Sequence, residues 1–134
     1  MSDTPNMFNR PALPHDLEQM QQLTIYINET DRIRRRPLYL EILHLVKRSG
    51  GSGATVFRGI AGYSSSNHSI TIIGLADLRQ RLPIIVIIVD FTWRIELLLP
   101  QIGEWVRSNG GLVTIQDLQA HRYLTSELSK SEAK

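Results

Sequence analysis

The chain has 134 residues, a length that suits one domain around a single core. Hydrophobic residues make up 42% and charged residues 21%, the proportions of an ordinary globular chain rather than a disordered one. The formal net charge of +2 gives no strong argument for nucleic acid or an anionic membrane surface, and the absence of cysteine excludes disulfides, thiolate metal sites and cysteine nucleophiles.

The segment 1–19 carries Pro5, Pro11 and Pro14 among polar residues, and 125–134 reads TSELSKSEAK. Neither holds enough apolar surface to offset its ordering entropy, so both are expected to be flexible tails around one folded unit, 20–124. The N-terminal stretch MSDTPNMFNRPALPHD has no apolar signal core, and the longest apolar run, Ile84 to Val89, is too short to span a bilayer. A cytoplasmic protein is expected.

Leu23, Ile25 and Ile27 alternate with Thr24, Tyr26 and Asn28, the pattern of a half-buried strand. A polar, basic loop follows from Glu29 to Arg36. Pro37 suits the first position of a helix, where its missing N–H costs nothing. Leu38, Ile42, Leu45 and Val46 then share a helical face, and Gly50-Gly51 stops the helix. Ala54 to Ile60 reads as a second strand. A long glycine-flanked polar loop, about 60–82, leads to Ile84–Val89, which is apolar at every position, as a strand covered on both faces would be. Thr92 is placed to cap a second helix with Ile95, Leu98, Leu99, Ile102, Trp105 and Val106 on one face and Pro100 inside it. Asn109-Gly110-Gly111 ends that helix. A last strand starts at Leu112 and is expected to continue past an irregularity near Asp117 towards Tyr123.

The order β-α-β-β-α-β predicts an α+β, ferredoxin-like fold, a four-stranded antiparallel sheet with two helices on one face. Its other face would be bare. The solidly apolar Ile84–Val89 therefore predicts an oligomer whose subunits cover that face.

Four stretches, LTIYINETDRIRRRPLYLEIL, GATVFRGIAGY, LPIIVIIVD and GGLVTIQDLQAHRY, occur in order from Leu23 to Tyr123. Together they resemble the PII-like family of domains of unknown function, related to nitrogen regulatory PII proteins. The resemblance implies a trimeric signalling protein, not an enzyme, that binds a nucleotide or similar anionic effector in clefts between subunits. It implies that 60–82 is the mobile T-loop, which docks on a partner such as a membrane transporter or ion channel, so that the protein would stand at the membrane through that partner. Gly59 and Gly62 match the glycines at the T-loop base, and Gly110 and Gly111 fall in the B-loop. The chain departs from PII proteins in having Leu112-Val113-Thr114 where they carry further glycine and a lysine, and in lacking a clear counterpart of their modified T-loop tyrosine. The resemblance implies an adenine nucleotide or a similar anion as the effector, while these departures set the chain apart from the ATP-binding pattern of PII proteins.

The candidate ligand-binding residues are Arg58, Gly59, Gly62, Gly110, Gly111 and Arg122, and the candidate partner-binding residues are Tyr63, Asn67 and His68. Arginine forks fit phosphate oxygens, and glycine lets backbone approach a ligand. Read without the resemblance, the glycine pair is a helix cap, Arg32, Arg34, Arg35 and Arg36 form a solvated basic turn, and Arg58 either clamps an anion or pairs with a neighbour's carboxylate. His15, His44, His68 and His121 have no metal-site spacing. Asp77, Asp90, Glu96, Glu104 and Asp117 are scattered, and no nucleophile is paired with a base. The competing reading is a metal-responsive or purely structural ferredoxin-like trimer. A small ferredoxin-like enzyme would need converging titratable groups that the sequence does not supply.

Overall fold

The computed structural model describes residues 17–64, 67–74 and 81–123. The tails expected at 1–19 and 125–134 lie outside them apart from residues 17–19, as do 65–66 and 75–80 of the expected T-loop.

Strand β1 spans Glu18–Asn28, longer than its apolar half. It is one of the two inner strands of the sheet and pairs on both sides, with Glu18 opposite Ala120 and Met20 opposite Phe91. Main-chain bonds therefore carry the polar Gln19–Gln22 stretch, whatever its side chains. A tight hairpin follows, β2 (Arg32–Ile33) and β3 (Arg36–Pro37), and then α1 (Leu38–Arg48). Pro37, expected as the first helical residue, instead precedes the helix with ψ 128°, and the Leu38 N–H donates back to the Asp31 carbonyl at 2.9 Å. Leu38, Ile42 and Val46 are buried on one face.

Strand β4 (Thr55–Arg58) leads to a second hairpin, β5 (Ala61–Ser64) and β6 (Asn67–Ile72), then to β7 (Pro83–Phe91), α2 (Thr92–Asn109) and β8 (Leu112–Ala120). The four-stranded sheet has the antiparallel order β4-β7-β1-β8, so the fold is ferredoxin-like as the sequence implied. Leu23, Ile25, Ile27, Ile84, Val86 and Ile88 from one sheet face meet Leu38, Ile42, Val46, Ile95, Leu98 and Ile102 from the helices. Each such side chain contributes about 1.5–3 kcal/mol by leaving water.

Three details differ from the sequence reading. Thr92 does not cap α2. Phe91 occupies the cap position in extended backbone, and its N–H is bonded to the Asp90 carboxylate at 2.8 Å. β8 has no irregularity near Asp117: one unbroken register with β1 runs from Leu112 to Ala120, and Asp117 accepts a 2.9 Å bond from the Gln21 amide opposite it. A polar cross-strand pair on an exposed edge keeps the strand regular. The segment expected as a loop contains the β5–β6 hairpin, continued by the Ile73 N–H to the Ile60 carbonyl at 2.7 Å. The alternation in Ser69-Ile70-Thr71-Ile72 favours strand over irregular backbone. Pro100, by contrast, is absorbed within α2. It and Glu96, whose carbonyl loses a bond, are both exposed, so water can serve that carbonyl.

Candidate functional site

The β1 register dictates where the ends of the other elements converge. Tyr26 lies opposite Ile85 of β7 on one side and Leu112 of β8 on the other, and Asn28 lies opposite Pro83. The start of β7 and the turn before β8 therefore flank the C-terminal end of β1. The base of the β5–β6 arm reaches the same place. The Gly59 N–H donates to the Pro83 carbonyl at 2.7 Å, and a Cβ on Gly59 would stand 2.5 Å from Pro83 Cγ.

A cleft of about 440 Å³ opens there. Its apolar walls include Tyr26, Tyr63, Pro83, Ile85 and Leu112, and Asn28, Ser64 and Arg81 bring polar groups to it. Gly62, Gly110 and Gly111 complete the lining. Gly110 turns the chain out of α2 with φ 83° and donates to the Val106 carbonyl at 2.8 Å. Gly111 then passes so close to β1 that a Cβ would stand 2.7 Å from the Tyr26 carbonyl oxygen. A volume of this size, mostly apolar with a few polar groups, is that of a small-molecule site.

Asp31 sets the charge behind the cleft. It is buried and accepts the Asn28 N–H at 2.9 Å. Burial pushes its carboxyl above the ordinary value of 3.8, and the Asn28 N–H, Arg81 and Arg32 pull the other way without cancelling that. Arg81 thus joins the cleft to this buried acid.

The structure brings Gly62, Gly110, Gly111 and Tyr63 together and sets the other candidates apart. Gly59 packs under the arm against Pro83. Arg58 is engaged with Glu29, Nε to Oε1 at 3.1 Å, and is not among the cleft residues. Arg122, expected in the last strand, follows its end at Ala120 and lines a second cleft, also of about 440 Å³, with Met20, Ser52–Thr55, Ile87, Val89 and His121. Asn67 and His68 belong to β6, where Asn67 is opposite Ser64. Sequence reasoning missed Tyr26, Asn28 and Arg81. The signal for Arg81 was its place just before Pro83 at the return of the long segment to the sheet. Among the described residues, no group of three or more His, Asp or Glu side chains is placed to hold a metal ion. No described helix is long and apolar enough to cross a membrane.

Residues 20–120 match the DUF190 family, described as Uncharacterized ACR. A UPF0166 protein of Methanocaldococcus jannaschii is 34% identical over 105 residues, covering 78% of this chain and 94% of that protein. A UPF0166 protein of Aquifex aeolicus is 35% identical over 97 residues, 72% of this chain and 89% of that one. Among solved structures, CPII of Thiomonas intermedia K12, a nitrogen regulatory PII-like protein bound to ADP, AMP and bicarbonate, superposes with a TM-score of 0.62 at 18% identity, covering 81% of this chain and 94% of CPII. Its apo form superposes with a TM-score of 0.56 at 18% identity, covering 81% and 98%. The chain belongs to the DUF190 family and has the fold of PII-like proteins.

Proposed function

We propose that this protein is a non-enzymatic, PII-like regulatory trimer that binds an adenine nucleotide in the cleft between the arm base and the Gly110-Gly111 turn. The observation that carries this reading is the convergence of Gly62, Tyr63, Gly110 and Gly111 with Arg81 around one cleft. A PII-like fold bound to ADP, AMP and bicarbonate supports the ligand class. Tyr26, Tyr63, Ile85 and Leu112 offer flat apolar surface to a base, and Arg81 offers a cation to its phosphate.

The family resemblance and the sheet support the trimer. The face of β7 opposite the helices carries Ile85, Ile87 and Val89, with Phe57 and Tyr26 beside them in register, and Phe57 and Tyr26 are exposed in the single protomer. Apolar surface of this kind calls for a protein partner, and a second and third copy supply it. Both Tyr26 and Leu112 belong to this face and to the cleft, so assembly would shape the nucleotide site.

Nucleotide binding would act on the arm, because Gly62–Ser64 belong to the cleft and to β5 at once. A ligand that binds better to one arrangement of the arm shifts its population toward it. The exposed Ile60, Tyr63 and Ile70 of the arm offer apolar contacts to a partner. By resemblance alone, that partner is a membrane transporter or channel.

Thermal-shift and calorimetric titration with AMP, ADP and ATP tests the reading. Saturable binding is expected, weakened by about 10- to 100-fold in Arg81→Gln, as befits loss of a charged hydrogen-bond donor worth about 1.5–3 kcal/mol. The absence of binding by all three nucleotides would overturn it.

A further inference from the structure

The β2–β3 hairpin turns through Arg34 and Arg35, at φ 51° and 68°. These are the two non-glycine residues with positive φ among the described residues. A two-residue turn with positive φ at both positions matches the right-handed twist of a hairpin, and it is met at least strain by Asn-Gly. Arginine at both positions holds the backbone in a region that L side chains disfavour. The fold would be better served by other residues, so the reason for arginine lies in what the side chains do.

Charge points the same way. Arg32, Arg34, Arg35 and Arg36 are all exposed. The carboxylates near them are already engaged, Glu41 with Arg36 at 3.7 Å and Glu29 with Arg58 at 3.1 Å. Arg34 and Arg35 make no hydrogen bond or ion pair among the described residues. The hairpin beneath them is fixed: the Asn109 side chain accepts the Arg32 N–H at 3.2 Å and donates to the Arg32 carbonyl at 3.1 Å, clamping the hairpin to the end of α2. Asp31 ties its root to Asn28 and Leu38. Two uncompensated guanidinium groups are thus carried on a strained but anchored tip.

We propose that the Arg34-Arg35 tip is a docking element for a protein partner presenting an acidic recess. A two-residue hairpin turn projects rather than encloses, whereas small-molecule sites are concave. Nucleic acid is disfavoured because the basic residues occupy one hairpin instead of a stripe, and the net charge is only +2. A bilayer surface would gain little from two or three charges. Planar guanidinium forks carried on an anchored backbone suit a few carboxylates at fixed positions, where complementarity sets specificity and association rate. None of residues 32–36 lines the nucleotide cleft, so the tip is a surface distinct from it.

The test uses the full chain and a synthetic octaglutamate peptide as probe, with phosphatidylcholine vesicles containing one-third phosphatidylserine and a single-stranded oligonucleotide as alternatives. Peptide binding is expected to weaken with salt and to fall at least about tenfold in the charge-removing pair Arg34→Gln and Arg35→Gln. The pair Arg34→Asn and Arg35→Gly is expected to lose binding equally while melting at a higher temperature, because it relieves the backbone. A merely structural hairpin would not couple lost binding to gained stability. No peptide binding by the unaltered chain, equal binding by the variants, or preference for vesicles or oligonucleotide would each overturn the proposal. So would a fall in oligomer mass in the variants, which would assign the tip to subunit contact.

Discussion

Asp90 closes the apolar run of β7 with a buried carboxylate. Burial alone would raise its pKa, but the N–H groups of Ser52 at 2.9 Å and Phe91 at 2.8 Å, the Ser52 hydroxyl and Arg94 outweigh it and hold the carboxyl below 3.8. A folded-state pKa below the unfolded one means that the unfolded chain binds the proton more readily. The stability Asp90 contributes is therefore present above the ordinary carboxylate pKa and is lost as pH falls through the lowered one. Asp90→Ala leaves Ser52, Phe91 and Arg94 without their acceptor and is expected to destabilise by about 3–5 kcal/mol in urea unfolding. Asp31 has the opposite sign. Its raised pKa makes the folded state bind the proton more readily, so stability falls as pH rises from 3.8 through the raised value. Asp31→Asn is expected to remove that fall, which pH-dependent melting would register. The Asp90 network was not read from the sequence, where Asp90 counted among the scattered carboxylates, because Asp90 ends a strand and Arg94 belongs to the helix that follows. Ser52 joins it from a distant turn. Asp31 was hidden because nothing local distinguishes it from the polar residues around it.

At the scale of elements, apolar periodicity placed both helices and the first strand, because one buried face fixes the period, while β7 was marked by being apolar at every position. Periodicity failed on the arm. Ile60, Tyr63 and Ile70 are exposed, so the alternation in Ser69-Ile70-Thr71-Ile72 was passed over within a stretch that is polar around it. The glycine pair after α2 was legible as a helix end, yet its second member has a tighter constraint than a cap. Gly111→Ala would set a methyl group against the Tyr26 carbonyl, whose position is fixed by two ladders. It is expected to cost about 1–3 kcal/mol by chemical denaturation and to reduce nucleotide binding by displacing one wall of the cleft.

On the scale of the whole molecule, the cleft could not be read from any one stretch. Tyr26, Arg81 and Gly111 are far apart in sequence and meet only through the register of β1 with β7 and β8. The resemblance to PII-like proteins identified the glycines, but it could not say that Arg58 would be held by Glu29 or that Arg122 would fall in the other cleft. The open sheet face was legible, because Ile84–Val89 is apolar at positions that alternate between the two faces. Light scattering is expected to give three protomers, and Ile87→Lys, which puts a charge on the open face, is expected to give a monomer. A monomeric unaltered chain would remove the basis for inter-subunit clefts.

The central claim, one nucleotide gripped jointly by the arm base and the Gly110-Gly111 turn, is tested most directly by hydrogen exchange with and without saturating ADP. The account expects Gly62–Ser64 and Gly110–Leu112 to become protected together, with Arg81→Gln needing about 10- to 100-fold more ADP for the same protection. Unchanged exchange at both segments, or protection confined to the second cleft around Ser52–Thr55 and His121, would contradict it.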